Sequence, residues 1–277
     1  MKILSTSPPT IQKDLDILAD WCDTWQMKTA PSKCEVINFS KGRNNKPYNQ
    51  ISLMLKSSKL PTTKHIRDLG ILLTNDLSFN LHITTIVRRC HQRMNILFNI
   101  LKNSNLEVMV KCFKIYIRPI AEYASTIFSP ILKSDCTRLE SLQKSFVYRC
   151  SKVFQFNYEG YFKALEHCVL ESLEYRRLLS DLTVMYKILI TKEFYNPDNI
   201  HTFLFEGKSL RRHPFYLRSA LSNKTKPGAQ YLSNRAIRCW NSLPPNIFPV
   251  KLSSRCFQEN IKLLDLNKFL TLNSTNF

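Results

Sequence analysis

The first thirty residues repeat apolar side chains every three or four positions, which is the period of one helix face. The repeated positions are Ile11, Leu15, Leu18, Cys22 and Trp25. Aspartates fall between them, so the pattern predicts an acidic amphipathic helix. Asp16 and Asp20, one helical turn apart, could chelate a metal ion, but we favour the alternative of a solvated acidic face.

Short alternating runs replace the helical period between residues 34 and 73. The runs at 34–39, 51–55 and 68–73 are typical of strands, and a loop is predicted at 41–48. We therefore expect residues 1–75 to form a helix packed on a small antiparallel sheet.

Helical spacing dominates the rest of the chain. In residues 76–155 a long apolar stripe from Ile83 to Leu101 is followed by two shorter stripes, and Pro119 is expected to end or kink the second helix. Three such helices bury their stripes by packing together. The apolar spacing in residues 156–277 predicts further helices, which an exposed basic loop interrupts at about 198–230. The predicted fold class is α+β and predominantly α-helical.

The charge balance points to an anionic partner. Lys and Arg number 40 against 21 Asp and Glu, for a formal net charge of +19. So many like charges destabilise a compact chain by mutual repulsion, and nucleic acid is the commonest partner that relieves this repulsion. A basic surface without a dedicated ligand is the alternative.

Several kinds of site and compartment are disfavoured. The nine cysteines form no CxxC pair and have no histidine at finger-like spacing, which argues against a zinc site. Their odd number, without a signal peptide, argues against a secreted disulfide framework. Neither a bilayer-spanning apolar run nor a secretory pattern is present. We expect a nuclear or cytoplasmic protein that is not secreted and has no membrane partner. GxGxxG, GxxxxGK[ST], HExxH and GxSxG are all missing.

Ordered motifs carry a resemblance to a known family. They are MKILS at 1–5, LDILADWC at 15–22, PSKCEVINF at 31–39, RDLGI at 67–71, RPIAEYAS at 118–125, LEYRRL at 173–178 and RAIRCWNSLP at 235–244. Together they resemble the reverse transcriptases of non-LTR retrotransposons of the LINE type, jockey- or RTE-like. The resemblance implies the end of a palm at 1–75, a helical thumb at 76–155 and a helical post-thumb region at 156–277.

The same resemblance implies an incomplete catalytic site. Polymerase carboxylates hold two metal ions, and in this family they lie on strands that would precede Met1. This chain alone is therefore expected to be inactive and to bind no cofactor, whereas Mg²⁺ serves the intact parent polymerase. Its expected partner is an RNA/DNA template–primer. The alternative is a non-catalytic nucleic-acid-binding or helical interaction protein derived from such an element.

Individual residues receive roles from the resemblance. Lys33 is expected to contact the triphosphate, with a plain surface lysine as the alternative. Asp68, Leu69 and Gly70 would support the primer end, with Gly70 at a close backbone approach or at a β-bulge.

Two basic groups are candidate nucleic-acid contacts. Arg88, Arg89, Arg93, Lys111 and Lys114 would grip phosphates from two neighbouring helices, without reading sequence. Arg211, Arg212 and Arg218 form a second stretch, in which Phe215 and Tyr216 could stack on bases. A solvated charged face is the alternative for both groups.

Overall fold

The structure is a computed structural model that describes residues 3, 7–39, 52–193, 213–217 and 226–272. It forms two compact units, Met1–Leu81 and His82–Phe277. The fold is α+β and predominantly α-helical, as predicted. Residues of the predicted thumb and of the predicted post-thumb region lie in the same unit.

In the first unit, the long helix α1 (Pro8–Thr24) packs on short strands. Leu15 and Ala19 of the helix share a core with Leu53, Leu55 and Leu60. The side chain of Gln12 also bonds to the backbone of Met54 in both directions: its Nε2 donates to the carbonyl, and its Oε1 accepts from the N–H, each at 2.9 Å. The helix thus occupies hydrogen-bonding groups that would otherwise form an open strand edge.

Short strands form separate pairs in the described part of this unit. They are β1 (Val36–Ile37), β2 (Met54–Leu55), β3 (Ser58–Lys59), β4 (Thr62–Thr63), β5 (His65–Asp68) and β6 (Ile71–Thr74). The β2–β3 and β5–β6 pairs are antiparallel, whereas β1 pairs with β4 in parallel. The small antiparallel sheet that we predicted is thus present as short antiparallel pairs, and the described residues add one parallel pair. Strands of two to four residues build no continuous ladder, and Pro61 offers no N–H between β3 and β4.

Helices make up the described part of the second unit. The helices after β6 are α2 (Asn80–Ile100), α3 (Leu106–Cys112), α4 (Arg118–Glu122), α5 (Ser125–Phe128), α6 (Lys133–Val153), α7 (Tyr161–His167), α8 (Leu173–Tyr186), α9 (Lys226–Gln230), α10 (Leu232–Asn241) and α11 (Ser254–Lys262). None of the described helices combines the length and the apolar composition that crossing a bilayer requires.

Pro119 widens its helix and does not end it. The residues Phe113–Ile117 form a π-helical turn between α3 and α4, in which the N–H of Arg118 donates to the carbonyl of Phe113. Proline has no N–H for the carbonyl four residues earlier, and its ring would crowd that carbonyl. The wider turn relieves this conflict, so the helical path continues to Glu122.

Buried polar groups connect distant helices of this unit. The carboxylate of Glu140 on α6 accepts the N–H groups of Leu173 (2.8 Å) and Glu174 (3.0 Å) at the start of α8, and it also accepts the Tyr161 hydroxyl. A carboxylate at a helix N-terminus is favourable because the N–H groups there have no helical partner. α6 therefore fixes where α8 begins.

A buried ion pair makes the next connection. Arg235 on α10 binds both carboxylate oxygens of Asp181 on α8, at 2.7 and 2.6 Å. The same guanidinium donates to the carbonyls of Gln230 and Thr126. It thus links α8 and α10 to α5.

Hydrogen bonds hold two segments in the C-terminal part of the chain. Thr271 and Leu272 donate their N–H groups to Glu174 at 2.7 and 3.0 Å, and Leu272 is buried. In the predicted basic loop at 198–230, the described residues 226–230 are helical, and Leu217 exchanges two hydrogen bonds with the Asn241 side chain. Lack of sequence periodicity does not reveal such side-chain contacts.

Candidate nucleic-acid interface

Helix α2 is the centre of the candidate interface. Its 21 residues include three arginines and no carboxylate. One face is buried, through Ile83, Ile86, Cys90, Met94 and Leu97. Arg88, Arg89 and Arg93 are all exposed, and within the described part of the chain none of them forms an ion pair with a carboxylate. The helix therefore carries uncompensated positive charge.

The three arginines lie on two different flanks. Each residue turns an α-helix by about 100°, so Arg89 and Arg93 are only about 40° apart. Arg88 lies about 100° from Arg89, on the other side of the exposed surface. The structure thus brings Arg89 and Arg93 together and separates Arg88 from them.

Helix α6 runs beside the Arg88 flank. Arg138 of α6 donates from Nη1 to the Thr84 hydroxyl at 3.1 Å, and Arg149 donates from Nη1 to the Asn95 side-chain oxygen at 2.7 Å. The Arg149 guanidinium also lies over the Phe98 ring, 4.0 Å from its centroid. We call this surface the α2–α6 seam: Thr84, Arg88, His91 and Asn95 of α2 with Arg138, Ser145 and Arg149 of α6.

Aromatic packing beneath the seam holds the helices together. Phe98 of α2 and Phe146 of α6 have ring centroids 5.7 Å apart, and Phe146 stacks on Phe113 at 4.1 Å. All three rings are buried. The charged seam therefore rests on a rigid apolar layer.

The two predicted lysines differ in their surroundings. Lys111 on α3 is exposed. Lys114, in the π-helical turn, donates from Nζ to the carbonyl of Val169 at 3.1 Å. Lys114 therefore connects its helix to the turn after α7, which is a structural contact.

Most of the second basic stretch lies outside the described residues, including Arg211, Arg212 and Arg218. Between them, His213 is buried beside Trp240: its Nε2 lies 3.1 Å from the Trp240 carbonyl, and its Nδ1 accepts the Phe215 N–H at 3.2 Å. These bonds fix the neutral imidazole, with the proton on Nε2. Burial lowers the His213 pKa from its usual 6.5.

The aromatic residues of this stretch are also engaged. The Phe215 ring packs against Phe248 at 5.1 Å, and its carbonyl accepts the Trp240 indole N–H at 2.8 Å. Tyr216 is half-buried, with its ring 6.0 Å from that of His213. Phe215 therefore serves core packing in this structure.

The predicted primer-support residues form a hairpin turn. Asp68 ends β5 and Ile71 begins β6, so the strand predicted at 68–73 is interrupted by Leu69 and Gly70. Their φ angles are +45° and +90°, as in the two-residue type I′ turn. Gly70 is thus the second residue of the hairpin turn. Leu69 is 84% exposed at the tip.

Lys33 and the acidic helix provide no metal centre among the described residues. Lys33 is exposed at the end of a 3₁₀ turn, Pro31–Lys33. Asp16 and Asp20 are exposed, and Asp16 accepts a 2.8 Å hydrogen bond from Gln12. No three His, Cys, Asp or Glu side chains converge in the part of the chain that the structure describes. These residues do not fit a two-metal polymerase centre.

Burial changes the acidity of four cysteine thiols. Burial raises the pKa of Cys136 and Cys168 to about 11 and that of Cys90 and Cys239 to about 12. Such thiols stay protonated near neutral pH and pack as small apolar groups.

Comparison with known proteins gives distant relatives. No family model and no solved structure matches the chain. It is 24% identical over 144 residues to the RNA-directed DNA polymerase from mobile element jockey of Drosophila funebris, covering 51% of this chain and 15% of the relative. It is 29% identical over 136 residues to the probable RNA-directed DNA polymerase from transposon BS of Drosophila melanogaster, covering 48% of this chain and 15% of the relative.

A third relative is an uncharacterized protein of Caenorhabditis elegans, 22% identical over 140 residues, which cover 50% of this chain and 70% of the relative. The matched region thus spans about half of this chain but a small part of the two polymerases. The expected resemblance to polymerases of non-LTR retrotransposons is confirmed at this level.

Proposed function

We propose that this chain is a part of an RNA-directed DNA polymerase of a non-LTR retrotransposon, which contacts the template–primer and lacks the catalytic carboxylates. Two observations together support the proposal. About half of the chain is similar to two mobile-element polymerases, and the chain has a long helix, α2, with exposed arginines and no carboxylate. Uncompensated guanidinium groups bind phosphates without selecting a sequence.

Each part of the chain has its own role in this function. Residues 76–155 act as the thumb, and Arg88, Arg89, Arg93, Lys111 and Lys114 supply positive charge toward the phosphates. The β5–β6 turn supports the primer end, and Lys33 meets the triphosphate. Arg211, Arg212 and Arg218 add a second, sequence-independent contact. In the intact polymerase, Mg²⁺ held by carboxylates outside this set supplies the chemistry.

A non-catalytic nucleic-acid-binding protein derived from such an element would use the same surface. A helical interaction protein would not need it. Salt dependence separates these classes, because each neutralised phosphate releases a counterion and a protein–protein contact does not.

The test is binding of the full chain to an RNA–DNA hybrid over a range of salt concentrations. Arg88→Ala and the pair Arg89→Ala/Arg93→Ala are measured separately, because the two sets lie on different flanks of α2. Each lost phosphate contact should reduce the slope of log affinity against log salt by about 0.9. The flank whose variant shows this reduction faces the hybrid.

Arg255→Ala/Lys262→Ala on α11 is the control for the double variant, because it removes the same charge from exposed positions. A wild-type chain without salt-dependent binding would contradict the proposal. The same preparation, given a primed template and Mg²⁺, should incorporate no nucleotide. Incorporation would contradict the proposal that this chain lacks the catalytic carboxylates.

A further inference from the structure

The outer surface of α1 carries an apolar stripe. Ile17, Trp21 and Trp25 follow one another at intervals of four residues, and they are 58, 49 and 66% exposed. The two indole rings lie next to each other, with centroids 6.4 Å apart. The helix buries a different side in the core of the first unit, through Leu15 and Ala19. The stripe is therefore not needed for that core, and adjacent exposed apolar side chains of this size mark an interaction site.

An acidic stripe runs beside the apolar one. Asp16 and Asp20 are exposed, and helical geometry places Asp20 about 60° around the axis from Ile17. Neither aspartate forms an ion pair in the part of the chain that the structure describes. Lys13, almost one turn before Asp16, is a cation on the same side of the helix. We call Asp16, Ile17, Asp20, Trp21 and Trp25 together the Trp face of α1.

Helix α2 carries a surface with the opposite charge. Arg89, Arg93, Ile96 and Ile100 lie within about 60° of one another around its axis, on the flank away from α6. Both arginines are exposed, and the isoleucines are 58 and 73% exposed. We call these four residues the Arg–Ile face of α2. It combines uncompensated positive charge with apolar side chains that no described residue covers.

The two faces have the same order along their helices. In α1 the charged residues Asp16 and Asp20 precede the tryptophan pair, and in α2 the two arginines precede the two isoleucines. The Trp face spans about 14 Å of axis and the Arg–Ile face about 17 Å. Parallel packing therefore places guanidiniums beside carboxylates and isoleucines on indole rings. Antiparallel packing would set the isoleucines against carboxylates, so charge complementarity selects the parallel arrangement.

A second copy of this chain supplies the matching surface, since each copy carries both faces. The high net charge of +19 opposes association in general. Exposed charges farther apart than about 8 Å are largely screened at physiological ionic strength. The opposite charges at the contact lie closer than this, so their attraction persists where the general repulsion is weak.

We propose that the Trp face of α1 docks on the Arg–Ile face of α2 in a second copy of the chain, with the two helices parallel. Because the contact joins two different surfaces, it is head-to-tail, and further copies add until the assembly closes into a ring or continues to grow. The inference goes beyond the proposed function and does not rest on it, because the contact forms without nucleic acid.

The first test is sedimentation equilibrium of the full chain, freed of nucleic acid by nuclease treatment, over a series of concentrations at physiological ionic strength. The weight-average mass of wild type should exceed the 32.4 kDa of one chain and rise with concentration. Trp21→Ala/Trp25→Ala should raise the dissociation constant about tenfold or more, because buried tryptophans dominate the energy of many interfaces.

Val250→Ala/Leu263→Ala is the control for this variant, because it truncates two apolar side chains that are 104 and 85% exposed. It should associate like wild type. Equal weakening by the two double variants would show non-specific association and overturn the inference. A wild-type chain that stays monomeric at every concentration would reject the second copy as the partner and point to a basic apolar segment of another protein.

Charge reversal tests the pairing of the two faces. Asp16→Arg/Asp20→Arg gives a chain with two positive faces, and Arg89→Glu/Arg93→Glu gives a chain with two negative ones. Each variant alone should be monomeric, whereas an equimolar mixture should associate, because each face again meets its opposite charge. A mixture of the two folded variants that remains monomeric would overturn the inference.

A neutral variant covers the case in which a reversed chain does not fold. Asp16→Asn/Asp20→Asn keeps the shape of both side chains and removes only their charge. Its dissociation constant should be several-fold higher than that of wild type at physiological ionic strength, and the difference should shrink as salt screens the contact. Association equal to wild type at every salt concentration would overturn the inference.

Discussion

At the scale of single residues, His213 fixes a short segment beside a basic part of the sequence. Both ring nitrogens are used, one toward the Trp240 carbonyl and one toward the Phe215 N–H. A proton added at Nδ1 would place two donors against each other and would create a buried charge. The sequence showed a histidine among arginines, and nothing in it revealed that this one is buried.

This arrangement predicts a pH dependence of stability. Because burial lowers the His213 pKa in the folded chain, its stabilising contribution is complete above the usual 6.5 and is lost as pH falls below that value. Chemical unfolding of wild type and His213→Gln should therefore diverge between about pH 7 and pH 5, with wild type losing more stability. Parallel pH profiles would show that the imidazole does not titrate on unfolding.

At the scale of elements, long helices were predictable, whereas only parts of the predicted strand runs form strands: β1 lies within 34–39, β2 lies within 51–55 and β6 overlaps 68–73. The stripes of α2, α6 and α8 extend over several turns, so their period defines them. Pairs of two residues such as β1 and β4 have no period, and the Leu69–Gly70 turn lacks the Asn-Gly or Asp-Gly signal of such hairpins. Periodicity also predicted which residues of α2 are exposed, but not which flank lies beside α6.

The β5–β6 hairpin offers a test that separates stability from binding. Leu69 has a φ of +45°, which costs a leucine about 1–2 kcal/mol. Leu69→Asn should therefore increase protection of the hairpin amides in hydrogen exchange, and it should weaken hybrid binding if the exposed leucine supports the primer. Leu77, with a φ of +54° and 40% exposure, is a matched control. Leu77→Asn should relieve strain without changing affinity, and a loss equal to that of Leu69→Asn would contradict the primer role.

At the scale of the whole chain, buried polar contacts unite the second unit across long stretches of sequence. Glu140 reaches α8, Glu174 reaches residues 271 and 272, and Asp181 reaches Arg235. Charged groups in a helical pattern ordinarily predict solvent exposure. These pairs could therefore not be predicted from the sequence.

The Asp181–Arg235 pair predicts a large and asymmetric mutational effect. Arg235→Met would leave the Asp181 carboxylate buried without its partner, so the free energy of unfolding should fall by about 3–5 kcal/mol. Asp181→Leu/Arg235→Met should be less destabilised than the single variant, because neither buried charge remains. Denaturant titrations followed by Trp240 fluorescence measure both. Arg255→Met, in an exposed pair with Glu259, should change stability by less than about 1 kcal/mol, and an equal loss there would contradict the role of burial.

The Thr84–Arg138 and Asn95–Arg149 hydrogen bonds of the α2–α6 seam each join residues 54 positions apart, because the two partners on each helix are eleven residues apart. This spacing has a consequence for how such genes can vary in length. A codon gained or lost between Arg138 and Arg149 would turn one guanidinium about 100° away from its partner on α2. Insertions in residues 101–132, which connect the two helices, leave the eleven-residue spacing within α2 and within α6 unchanged. They alter only the number of residues between the two helices. Among related proteins that keep these two contacts, we expect insertions and deletions in residues 101–132 and few within α2 and α6.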